Sequence, residues 1–192
     1  MDKSTQQRFW TIRKTLSVLT ILAGLFFVPV GRAILNDSDA AILMRFYNEV
    51  VLPTPAGQYY NAMLWKHSDE MNSLYKNHPE HRGKVIKIIQ EFVPGMDTLL
   101  NGQGDTVQIT AKQIQLIQAE VDWVASAGSP SLREDIEREL ERYPLQHFIG
   151  MTMSEALEYV NANFPADLIV EPTSIPVITT PTTVIPTPSP SP

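Results

Sequence analysis

The sequence predicts an all-α fold: a bundle of five or six helices over residues 36–165, with an apolar signal or anchor helix before it and a disordered Pro/Thr-rich tail after it. Three observations carry this reading. Apolar residues recur at helical spacing in one segment after another. The segments open on a capping residue or a proline and close on glycine, asparagine or proline. No run alternates apolar and polar residues convincingly enough to be a strand, and no internal repeat appears at a solenoid period.

The first element is the uncharged run at 16–31, LSVLTILAGLFFVPVG, within a leader of residues 1–33. Lys3, Arg8, Arg13 and Lys14 precede it, opposed only by Asp2. Basic residues resist translocation, so the N-terminus is expected to stay cytoplasmic while the remainder crosses. A spanning helix wants about 20 apolar residues, and Arg32 ends this run short of that. The length suits the apolar core of a signal peptide. Gly31 and Ala33 place small residues for cleavage after Ala33, with Arg32 between them. Left uncleaved, the segment at 9–31 is a membrane anchor, extended by Phe9, Trp10 and Ile12, and Arg32 reaches outward. Either way the body is expected outside the cytoplasm, secreted or held to the membrane by its N-terminus.

Asn36, Asp37, Ser38 and Asp39 give a helix start. Ala40, Leu43, Met44, Tyr47, Val50 and Val51 then fall on one side until Pro53. Thr54 and Pro55 open a second helix, a capping side chain followed by a proline whose missing N–H has no partner there anyway. Its stripe is Ala56, Tyr59, Tyr60, Met63, Leu64, Met71, Leu74 and Tyr75, with Trp65 added. His78 and Pro79 begin a third helix, with Val85, Ile88, Ile89, Phe92, Val93, Met96, Leu99 and Leu100 inward. Pro94 and Gly95 predict a kink or break within it.

Residues 101–105 are a turn by composition. Val107 and Ile109 suggest a short extended piece. Thr110 and Gln113 have capping-box form and open a fourth helix with Ile114, Ile117, Val121 and Val124 inward, ended by Gly128. Ser129 and Pro130 open a fifth, with the narrow stripe Leu132, Ile136, Leu140 and Tyr143, and Glu134 placed four residues before Arg138 for a helical ion pair. Pro144 stops it, and residues 145–149 form a short apolar turn. Thr152 and Glu155, a second capping box, open a last helix through Leu157, Val160 and Phe164 to Pro165. Residues 171–192 hold Pro, Thr and Ser in place of helical spacing, which predicts an extended tail, either inert or a stalk open to O-linked sugar.

The chain has 192 residues, no cysteine and a net charge of −6. Disulfides, Cys-ligated zinc and cysteine nucleophiles are excluded. After residue 33 stand ten basic residues against twenty acidic ones, a charge of −10. So acidic a body suits neither phosphate backbones nor anionic lipid, and nucleic acid is not expected as a partner.

Among candidate chemical groups the histidines come first. His67, His78 and His81, with carboxylates nearby, are the candidate metal ligands. The di-iron bundle pattern Glu-x-x-His is reversed at His67 and Glu70, however, and polar helix ends account for the same residues. Glu134, Asp135, Glu137, Glu139 and Glu141 are expected on a solvated helix face, lacking any loop geometry for calcium. Hydrolase, zinc-protease and β-lactamase signatures are absent, as are phosphate-binding glycine loops. No catalytic residue and no cofactor are expected. Tyr59, Tyr60 and Trp65 form the candidate ligand or partner surface, because aromatics on both faces of one helix leave one of them exposed.

The stretch LPTPAGQYYNAMLWKHSDEM, followed by NHPE and LLNGQGDTVQIT, resembles a helical module from the C-terminal regions of uncharacterised exported bacterial proteins. Thr54, Pro55, Gly57 and Tyr60 match its Thr-Pro-x-Gly-x-x-Tyr start, and the resemblance spans residues 51–140. It implies an exported helical module and brings no activity with it. The expected function is a non-enzymatic helical domain that packs against another envelope protein or surface; the alternative is a bundle that binds a small molecule or a metal.

Overall fold

The computed structural model describes residues 35–103 and 106–169. The apolar run at 16–31 and the tail from 171 lie outside them. Six α-helices occupy the described residues, which contain no strand beyond one isolated bridge. None of these helices is long and apolar enough to cross a membrane.

Helix α1 (Asp37–Phe46) starts at Asn36, whose side chain accepts from the Asp39 amide at 2.9 Å. It runs directly into a π-helical turn, Tyr47–Val51. That turn adds a residue to the helical repeat and rotates the inward face. Phe46, Tyr47 and Val51 are therefore buried with Leu43, while Met44 and Val50, inward by uniform spacing, are only half-buried. Thr54 caps α2 (Pro55–Asn77), accepting from the Gly57 amide at 3.0 Å. Helix α3 (Pro79–Leu100) follows after a single residue, His78.

The break expected at Pro94 and Gly95 does not occur, and α3 continues through both. Pro94 lies on the exposed face, where water can satisfy the carbonyl that its ring leaves free. Gly95 faces inward and lets the Met153 side chain approach to within 3.2 Å of where a Cβ would sit. Helices α4 (Ala111–Ala127) and α6 (Met153–Ala162) each open with a complete capping box, Thr110 with Gln113 and Thr152 with Glu155. Ser129 caps α5 (Pro130–Arg142) through the Leu132 amide. Each such cap stabilises its helix by about 1 kcal/mol.

Helix α3 is the hub. It packs against α1, α2, α4 and α6, while α4 also packs against α5 and the 3-10 turn Leu145–Phe148. Phe46, Tyr60, Ile89, Met96, Ile117 and Phe148 are fully enclosed in the resulting core. The extended piece expected near Val107 and Ile109 forms a clip between two connections. Gln108 pairs antiparallel with Thr152, and Ile109 exchanges backbone hydrogen bonds of 2.8 Å with Met151 and Gly150. Gly150 turns the chain there with φ +84, a conformation costly to other residues.

Candidate functional site

Helix α2 has two faces of different character. The inner face meets α5 across a polar seam. Glu139 of α5 is 1% exposed and takes four hydrogen bonds: Tyr59 at 2.9 Å, Tyr60 at 2.8 Å, and Arg142 to both oxygens at 2.8 and 2.7 Å. One turn earlier, Asp135 is bound by His67 at 2.8 Å, by Lys66 at 2.6 Å and by Arg138. At the start of α5, Ser129 donates its amide and hydroxyl to Glu70, at 2.5 and 3.0 Å. Tyr60 opposite Glu139, His67 opposite Asp135 and Glu70 opposite Ser129 run the two helices antiparallel. The two backbones are not among the closely packed helix pairs, and these long side chains fill the gap.

The expected solvated acidic face is thus only half right. Glu134, Glu137 and Glu141 are exposed, but Asp135 and Glu139 point inward. The expected Glu134–Arg138 pair does not form either, because Arg138 turns to Asp135. The pair with the buried Asp135 carboxylate is screened by water far less than an exposed pair four residues apart would be.

Electrostatics fix the protonation of the seam. Burial, reinforced by the Glu139 carboxylate, pushes the Tyr60 phenol well above its usual value, so it remains a donor. Burial alone raises the Asp135 carboxyl, but His67, Lys66 and Arg138 together outweigh it and hold that carboxyl well below its usual range. A carboxyl lowered in the fold adds stability above its unfolded value of about 3.9, and this is lost as pH falls through the folded one. Asp135→Asn is therefore expected to destabilise the protein at neutral pH, with the difference from the parent shrinking as pH falls below about 4 and closing only past the much lower folded-state value. Unfolding free energies of both proteins measured against pH check this; a constant offset at every pH contradicts it.

The outer face of α2 carries Ala62, Trp65, Asp69, Asn72, Ser73 and Lys76, all exposed. Trp65 is 47% exposed, one of the three large apolar side chains so open among the described residues. The three candidate aromatics are therefore separated. Tyr60 belongs to the core, Tyr59 is half-buried against Glu139 and Phe164, and Trp65 alone faces outward. A groove lined by Pro55, Ala56, Glu158, Phe164 and Ile169 opens beside the start of α2.

The three candidate histidines are separated too. His67 is committed to Asp135 within the seam. His78 and His81 sit together at the start of α3, their ring centroids 6.4 Å apart, and His81 binds Glu120 of α4. Among the described residues no group of three or more His, Asp or Glu side chains is placed to hold a metal ion.

Sequence reasoning missed Asp135, Glu139 and Glu120 as buried groups. The available signal was angular: at about 100° per residue, Asp135 and Glu139 border the stripe of Leu132, Ile136 and Tyr143 on one side, and Glu120 borders that of Ile117, Val121 and Val124. No known family model matches the chain, and no curated protein or solved structure shows significant similarity to it.

Proposed function

We propose that the protein is a non-enzymatic interaction domain, carried out of the cytoplasm by its apolar N-terminal segment and working at the cell envelope, where the outer face of α2 docks on another envelope protein. The observation that carries this reading is Trp65. A tryptophan 47% open to water in the middle of a long helix leaves about half of its surface unused by the fold, whereas tryptophans are favoured anchors in protein interfaces. The rest of that helix supports the same division of labour, since its other aromatic side chains are engaged with α5 and the core. The basic flank before residues 16–31 and the charge of −10 beyond residue 33 support an exported, non-nucleic-acid role. The resemblance of residues 51–140 to exported helical modules points the same way. A bundle that takes a small molecule is the second reading, and the groove beside Pro55 and Phe164 supports it.

A photo-crosslinking amino acid placed at position 65 of the full chain, in its native cells, tests the proposal. The expected result is one discrete adduct with an envelope protein, absent when the same group stands at Glu134 on the exposed side of α5. A cytoplasmic adduct, or equal adducts from both positions, would sink it.

A further inference from the structure

The corner where α2 gives way to α3 holds a third buried acid, after Asp135 and Glu139. Glu120 of α4 is 1% exposed, and its Oε2 lies 2.9 Å from Nδ1 of His81 in the first turn of α3. The His81 ring lies flat on Trp123, with 3.6 Å between centroids and 14° between planes. Its far nitrogen, Nε2, is 3.5 Å from Lys84 Nζ. Tyr75 reaches Glu120 from α2, and its ring is 5.5 Å from Trp123. His78 stands edge-on to Trp123 at 5.5 Å, and its Nδ1 is 3.4 Å from Glu80 Oε1. Tyr75, His78, Glu80 and Lys84 are thus the titratable groups around the pair from α2, the corner and α3.

We propose that His81, Glu120 and Trp123 form a proton-responsive clasp between α3 and α4 that tightens when it takes up a proton. With the ring neutral, Nδ1–H donates to Glu120 and the Nε2 lone pair faces Lys84. The buried carboxylate then touches only neutral donors. A proton added at Nε2 turns that hydrogen bond into an ion pair, adding the attraction of unlike charges at a site largely closed to water. It also places a cation on the indole face and releases Lys84 to water. Burial pushes the Glu120 carboxyl above its usual range, against the pull of His81 and Lys84. A carboxyl raised in the fold binds its proton sooner there than in the unfolded chain, so its stability contribution also grows as pH falls.

The test uses the full chain in detergent micelles with Trp10→Phe and Trp65→Phe, which leaves Trp123 as the lone indole of the three in the sequence. An imidazolium in contact with indole quenches it, so Trp123 emission is expected to fall as pH goes from about 8 to about 5. The fall is expected to vanish in His81→Gln, persist in His78→Gln, and move to lower pH in Glu120→Gln. Over the upper part of that interval the melting temperature is expected to rise, and to lose that rise in His81→Gln. An emission change that survives in His81→Gln, or that His78→Gln removes, overturns the proposal. So does a melting temperature that rises equally without His81. In the unsubstituted chain, the His81 ring resonances followed by NMR must titrate over the same interval; resonances that stay fixed overturn it as well.

Discussion

Replacing Glu139 with alanine is expected to lower the unfolding free energy of the domain by about 3 kcal/mol, the usual result of removing one member of a buried charged network. Exposed glutamates, by contrast, seldom matter by more than about 0.5 kcal/mol. The difference lies in what is left behind. Without Glu139, the Tyr60 hydroxyl is sealed in the core with no acceptor, and Arg142, whose side chain is 19% exposed, loses its counter-ion. Orphaned buried donors each cost about 1–3 kcal/mol. Arg142 can swing partly to water, which keeps the total near the lower end of the range for buried pairs. Tyr60→Phe made in the Glu139→Ala background is expected to recover part of the loss, because it removes the stranded hydroxyl. Denaturant unfolding of the two variants measures both effects. A Glu139→Ala loss no larger than that of an exposed acid contradicts a load carried by the seam.

Gly57→Ala is expected to destabilise the domain by about 3 kcal/mol, at the upper end of what overpacking costs. Helix propensity alone predicts the opposite sign, since alanine is favoured over glycine inside a helix by about 1 kcal/mol. Geometry decides between them. A Cβ on Gly57 would stand 2.0 Å from the carbonyl oxygen of Val51 and 3.1 Å from Thr54 Oγ. The first of these is backbone at the end of the π-helical turn, and it cannot move without pulling α1 away from α2. The second is the cap of α2 itself, which also donates to the Val51 carbonyl at 3.1 Å. A melting temperature equal to or above the parent value would show that this corner is looser than the contact distance requires.

The same corner shows how much of the fold was legible in advance. Thr54, Pro55 and Gly57 act through neighbours a few residues away, so their spacing alone announces a helix start. The two Thr-led capping boxes were legible for the same reason. The role of Tyr60 was not, because its partner Glu139 lies 79 residues further along the chain. Asp135 and Glu139 were assigned to water on residue type, although their positions border the stripe of Leu132 and Ile136. Type and position conflict there, and only the basic and phenolic groups supplied by α2 and by α5 itself resolve the conflict. The π-helical turn left no trace in the spacing of apolar residues, and it displaced the inward set of α1. Of the candidate surface, the sequence indicated that one aromatic of α2 would stay exposed; that Trp65 is the one follows from the packing of Tyr59 and Tyr60 on α5.

In the proposed division of labour, α2 has an inner face committed to α5 and the core and an outer face, centred on Trp65, that the fold does not need. The unfolding free energy of Trp65→Ala tests it most directly. It is expected to stay within about 0.5 kcal/mol of the parent, as for a surface residue. A loss of about 3–5 kcal/mol, the cost of truncating a core tryptophan, would place Trp65 in the service of the fold and leave the docking face without its anchor.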